Sequence, residues 1–356
     1  MAERRYEYAP AGTLPGLLQR GRGLGALLAA EDPSSAADLV YGCIRWEWRW
    51  DSTLDDRDVY LARLIRDLEL PLGPVIEMLA GDEGVRERAT KVLELLALAG
   101  SVEARDALPP EAEEEDEDWG DPPRSQPDPM AELASSALLE LLADPAEPEN
   151  RKVGALNVLY DRDPEPGLVP LVPSLGTADG EYPLSMLPLA VWKLGALAVS
   201  AARDWAASDT RWLAVQGLVT LSAHGEEQDI PTLIAALERD WVERTWCGPD
   251  MLARGLARFG SKTADAISLL RRFWLWTPHS YERHVYLEAL AAMGAAGMAE
   301  AYTESLWDCQ SEARRLGVAH APDRPHVRER LARLRDDPIE DPEIRRAAAA
   351  RLAGLA

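Results

Sequence analysis

The chain is expected to be all-α, an α-solenoid of about eight to nine stacked helix pairs with almost no strand. Three observations predict this. A phrase returns along the chain, an acidic or proline-bearing turn, then a basic or polar residue, then an Ala/Leu-rich run: Asp82-Glu-Gly-Val-Arg-Glu-Arg-Ala89, Asp209-Thr-Arg-Trp-Leu-Ala-Val215, Ser280-Tyr-Glu-Arg-His-Val-Tyr286 and Asp341-Pro-Glu-Ile-Arg-Arg-Ala-Ala348. Self-similarity of this kind marks an array of one supersecondary unit. Between the phrases, leucines recur at helical spacing. Finally, 356 residues with 47% hydrophobic content exceed most compact single domains and can bury a long core.

The elements follow in order. Second helices are expected to start near Ser35, Gly84, Glu149, Glu181, Asp209, Pro249, Tyr281, Glu312 and Pro342, each after an acidic or proline-bearing turn. First helices are expected over 14–29, 59–79, 130–143, 167–175, 197–207, 230–238, 264–274, 298–306 and 326–334. From Glu181 onward the steps cluster around 30 residues, with one longer step between Asp209 and Pro249, and are shorter than the roughly 40 of the longer helical repeats, so the pairs should be compact. One stretch breaks the array. Residues 109–129 combine Pro-Pro pairs, an acidic run and Trp119, which cannot support a buried helical face, and they read as an acidic loop inserted between repeats 1–108 and 130–356 of one solenoid.

Net charge is −23, and eight of the acidic residues fall in 111–121 with no Lys or Arg, so the rest of the chain still carries −15. Phosphate backbones are held by clustered cations, so such a body argues against non-specific nucleic-acid or anionic-membrane binding. The only lysines are Lys91, Lys152, Lys193 and Lys262. That preference for arginine, with abundant Ala, Leu, Gly and Pro, matches the bias of a GC-rich bacterial genome and by itself says little about phosphate. No apolar run is long enough for a membrane span and the start has no export core, so a cytoplasmic protein is expected. Cys43, Cys247 and Cys309 show no metal-ligand spacing and read as reduced, buried thiols.

Here the residues carry a family resemblance. Leu72-Gly-Pro-Val-Ile-Glu-Met-Leu-Ala-Gly-Asp82 through Val85 and Arg86 to Leu93 resembles a HEAT repeat, and Asp229-Ile-Pro-Thr-Leu-Ile-Ala-Ala-Leu237 and Asp341-Pro-Glu-Ile-Arg345 resemble its first and second helices. The resemblance implies a HEAT-like right-handed solenoid whose second helices line a concave face. It says almost nothing about activity, because function lies in sites carried by a fold.

Tryptophan supplies the candidate binding residues, with 12 Trp against 2 Phe. Trp46, Trp48 and Trp50 alternate in Arg45-Trp-Glu-Trp-Arg-Trp-Asp51, either covering the amino-terminal end of the array or forming an aromatic platform. Arg211, Trp212, Tyr281 and Arg283 stand at the starts of second helices and are candidates for a common groove. Enzyme readings find less support. HEAT-like DNA glycosylases use Trp and Asp in a concave groove, which Trp212, or Trp50 with Asp51, could imitate, but they need a basic face. HEAT-type di-iron hydroxylases carry His-Glu dyads, and none of His224, His279, His284, His320 or His326 is followed by Glu. HEAT-related phycobilin lyases have no motif here. Gly21-Arg-Gly-Leu-Gly25 follows no expected strand and lacks a Gly-Lys-Ser/Thr ending, so these glycines read as loosening an amino-terminal helix or letting it pack closely, not as a phosphate loop.

The expected function is a non-enzymatic scaffold or adaptor that binds a protein or peptide partner through the concave groove, without cofactor or metal. A HEAT-like DNA glycosylase acting on alkylated bases is the first alternative, and an acidic inhibitor mimicking nucleic acid the second.

Overall fold

A computed structural model describes residues 7–49, 51–109 and 129–355. Among these the chain is helical throughout, with twenty α-helices and six short 3-10 helices, and the β pairing described is one isolated bridge between Gly176 and Pro183. Most of the expected acidic loop, residues 110–128, and also Trp50, lie outside the described residues. No described helix is long and apolar enough to cross a membrane.

Eight of the expected second helices appear close to their expected starts, as Pro33–Arg45, Glu83–Leu98, Glu149–Asp161, Arg211–His224, Pro249–Ala257, Arg283–Ala292, Ser311–His320 and Pro342–Leu355, whereas Glu181 lies in a bend and the helix expected there begins only at Leu187, as Leu187–Leu194. Three of the acidic turns act as caps: Asp32 accepts the Ser35 amide, Asp82 the Val85 amide at 3.0 Å, and Asp341 the Glu343 amide at 2.6 Å, whereas Arg211–His224 starts after Thr210 without a side-chain cap. Several expected first helices are broken for local reasons. The 14–29 segment forms Leu14–Gln19 and Gly23–Glu31, parted at Gly21, whose φ of 63° leaves the right-handed region. The 59–79 segment forms Arg57–Asp67 and Gly73–Met78 around Glu69 (φ 52°) and Pro71. The 167–175 segment is the 3-10 helix Pro166–Ser174, because Pro170 and Pro173 inside it withhold amide donors.

The chain divides into two compact units. Unit 1 joins Met1–Ala112 to Leu270–Ala356, and unit 2 is Glu113–Leu269. The first break coincides with the expected loop; the second falls inside the helix Ile267–Trp276 and has no counterpart in the sequence pattern.

In unit 1 the two ends of the chain share a core. Val40, Ile44, Leu61, Ile65, Val92 and Leu93 cluster with Cys309 and Ile339. Gly21-Arg-Gly-Leu-Gly25 is the point of closest approach. A Cβ on Gly23 would sit 2.0 Å from the Glu304 carbonyl oxygen, and the Gly21 carbonyl accepts the Cys309 amide at 2.9 Å. The glycines are therefore packing residues, as their sequence context suggested. Cys43 and Cys309 are buried, and loss of hydration pushes both thiols up to about 12; Cys247 is exposed, contrary to the expectation of three buried thiols.

Around that contact lies a set of buried arginines, each brought to a carboxylate. Arg283, fully buried, pairs with Asp308 at 2.7 Å and donates to the Arg20 and Gly21 carbonyls at 2.8 and 3.2 Å. Arg57 pairs with Asp55 at 2.6 Å, and Asp55 also accepts the Arg57 amide at 3.0 Å and the Ser280 hydroxyl at 2.6 Å. Arg22 pairs with Glu304, Arg314 with Glu340, and Arg63 with both Asp337 and Glu340. All but the Arg57–Asp55 pair cross between chain segments more than 20 residues apart, and Ser280 carries the Asp55 link across as well.

Two outcomes follow from this packing. Asp308→Ala leaves Arg283 buried without its counter-charge and should lower unfolding free energy by about 3–5 kcal/mol, with Asp308→Asn intermediate, as read by urea melts. At Asp337 partial burial favours the neutral acid, but the hydrogen bonds and charges of Arg66 and Arg63 prevail and hold it down to about 2. A depressed folded pKa stabilises above the unfolded value and is lost below it. Stability should therefore fall by about 2 kcal/mol between pH 4 and 2 from this group alone, and Asp337→Asn should show a shallower acid transition at lower overall stability.

Candidate functional site

One concavity of unit 2 is a groove of about 570 Å³. Its walls come from the turn after Val199–Ala206, the exposed face of Arg211–His224, the last turn of Ile230–Glu243, and the loop leading into Pro249–Ala257. The loop is shaped by two left-handed residues, Arg244 (φ 59°), which ends one helix, and Gly248 (φ 108°), which precedes the next. Leu218 and Leu252, both buried, and Met251 form an apolar floor beside Val215, which is 49% exposed.

Four charged side chains line this groove: Arg211, Arg239, Asp240 and Glu243. Elsewhere in unit 2, Arg151, Arg203 and Arg254 face carboxylates, while Arg162 and Arg258 donate to carbonyls. Neither Arg211 nor Arg239 has a hydrogen-bond or ion-pair partner among the described residues. Asp240 and Glu243 occupy the last turn of their helix, where the backbone carbonyls point outward and a negative charge is disfavoured. Asp240 is pushed up to about 6, chiefly because partial burial strips its hydration; Arg239 and Arg211 offset part of this, and Glu243 adds to it.

A second depression in unit 2, of about 550 Å³, is lined by Tyr160, Asp161, Trp192, Lys193, Gly195 and His224. Trp192 is 55% exposed and its ring lies 5.9 Å from that of His224, whose pKa is lowered by burial and by the charge of Arg258. Lys193 already occupies the Tyr160 ring and carbonyl. Nothing there combines unpartnered charge with an apolar floor.

The candidate residues from sequence fare differently. Arg211 lines the groove, but its neighbour Trp212 is buried, its indole packed against Gly176. Adjacent positions on a helix point about 100° apart, so one faces the groove and the other the core. Arg283 is not a surface residue but a fully buried partner of Asp308 in unit 1. Tyr281, half-buried in the same unit, stacks on His279 at 5.2 Å, and His279 in turn meets Glu282 at 2.8 Å. Trp46 is exposed at 64%, whereas Trp48 packs on Tyr8 with ring centroids 5.4 Å apart. Trp50 is outside the described residues. Arg239, Asp240, Glu243, Val215 and Met251 were not anticipated. The one signal for them was an Asp and a Glu at the carboxyl end of a helix, where they oppose its dipole.

No group of three or more His, Cys, Asp or Glu side chains among the described residues is arranged to hold a metal. No protein-family model, curated protein or solved structure matches the chain.

The burial of Trp212 gives a direct test. Trp212→Ala should cost about 3–5 kcal/mol of stability, the scale of a large-to-small core change, measured by thermal or denaturant melts.

Proposed function

We propose that this chain is a non-enzymatic scaffold or adaptor, built as a HEAT-like α-solenoid, that binds a protein or peptide partner through the groove of unit 2. The supporting observation is the pair Arg211 and Arg239, which make no hydrogen bond or ion pair among the described residues, act only through space on Asp240, and are set beside an exposed valine over an apolar floor. Guanidiniums keep their charge at every physiological pH, so two of them without an internal acceptor form a surface suited to an external one. A groove preformed by packed helices also keeps the ordering cost of binding low. Its volume falls within the range of about 300–1,000 Å³ typical of ligand sites.

The test is capture from native extract by the full chain, compared with Val215→Arg, which fills the groove from an exposed position and should leave melting nearly unchanged. A discrete partner lost by at least tenfold in the variant supports the reading. Capture indifferent to Val215→Arg, and equally indifferent to Arg211→Glu, overturns it.

A further inference from the structure

We infer that the groove takes a peptide segment in which a carboxylate side chain stands next to an apolar one, the carboxylate bridging Arg211 and Arg239 and the apolar group lying on Leu218, Met251 and Leu252. This rests on the groove being the binding surface and adds the chemistry of what it binds. The sign of the ligand follows from which groups can relieve themselves. Desolvating the groove on binding penalises all four of its charges, but an aspartate can escape by taking a proton and a guanidinium cannot. The arginines are therefore the groups that a ligand must satisfy, and a carboxylate does so in a bidentate geometry.

The groups facing Asp240 are Arg239 and Glu243 on its own helix and Arg211 on the helix Arg211–His224. The loop contributes Thr245 and Cys247, and the helix Pro249–Ala257 contributes Met251 and Leu252, none of them a fixed charge. Asp240 already sits near 6 in the free protein because its hydration is reduced. An incoming anion beside it and further loss of water both raise that value, so the bound state holds a proton that the free state has partly lost. Affinity must then increase as pH falls from 7.5 towards 6, where a ligand glutamate of ordinary pKa, about 4.3, is still ionised. A single carboxylate fits the local balance. A phosphate, carrying about −1.5 to −2, would meet repulsion from Glu243 as well as Asp240.

The experiment is selection of phage-displayed random dodecapeptides on the full-length protein, with Val215→Arg as counter-selection. The strongest sequence is then made synthetically with its Glu, with Gln, and with phosphoserine at that position, and titrated calorimetrically at pH 7.5 and 6. The expected result is enrichment of Glu or Asp beside Leu, Ile or Phe. Glu→Gln in the peptide, or Arg211→Gln or Arg239→Gln in the protein, should weaken binding at least tenfold. Affinity for the Glu peptide should rise roughly threefold to tenfold on acidification. Asp240→Asn should bind the Glu peptide more tightly at pH 7.5 and abolish its pH dependence, and the circular dichroism melts of all variants should match wild type.

Basic or uncharged winners that Val215→Arg still excludes would overturn the carboxylate assignment while leaving the groove as the site. Tighter binding of the phosphoserine form would do the same in favour of a phosphopeptide. Unchanged pH dependence in Asp240→Asn would remove the proton coupling. If no enriched peptide distinguishes wild type from Val215→Arg, both the ligand class and the groove itself fall.

Discussion

The guanidinium of Arg283 lies between the Asp308 carboxylate and the carbonyls of Arg20 and Gly21, and the integrity of unit 1 turns on that arrangement. An arginine cannot discharge itself when buried, so the chain must deliver a carboxylate or carbonyl oxygens to it, as the Ala9, Gly16 and Trp276 carbonyls do for Arg20, or leave it in water. Here the carboxylates come from far along the sequence: Glu304 for Arg22, Asp337 and Glu340 for Arg63. Each pair closes only when the first and last segments of the chain are both in place. Close approach at Gly23 and Gly21 makes room for this, because any side chain at Gly23 would collide with backbone. Buried ion pairs of this kind add little net stability over an apolar core, but an incorrect pairing leaves a charge stranded, which penalises other registers of the helices.

Unit 2 uses the same residue type in the opposite way. Arg203 reaches Asp229 and Glu226, and Arg258 ties down the carbonyls at the end of the helix Arg211–His224. Arg211 and Arg239 sit at the rims of two different helices and look into shared solvent. In an acidic chain whose other arginines are mostly occupied, these two make no hydrogen bond or ion pair among the described residues. Composition could not have revealed it, since paired and unpaired arginines read identically in sequence.

Much of the helical plan was legible. The Asp32, Asp82 and Asp341 caps form hydrogen bonds at the helix starts their positions suggested, because an N-cap is a local interaction decided within four residues. Breaks at Gly21, Glu69 and the prolines of Pro166–Ser174 were less visible, since the leucine spacing continues through them. The candidate surface was legible only in part. Of the residues placed together from their positions at helix starts, Arg211 lines the groove of unit 2, whereas Trp212 and Arg283 are internal. Trp and Arg are enriched in interfaces and also serve as core packing and buried ion pairs, and the choice between those roles depends on which neighbours arrive from elsewhere.

What the sequence by itself determined is what short-range physics decides: an all-helical chain, the starts of its helices, an acidic body, and glycines reserved for close packing near residue 23. Tertiary structure decided which charges are answered and which are not. Asp308 and Glu340 reach their arginines from 25 and more residues away, and Asp240, Arg239 and Arg211 meet across a groove built from separate helices. Coulomb and desolvation energies depend on distance in space and on exclusion of water, neither of which is written in the order of residues.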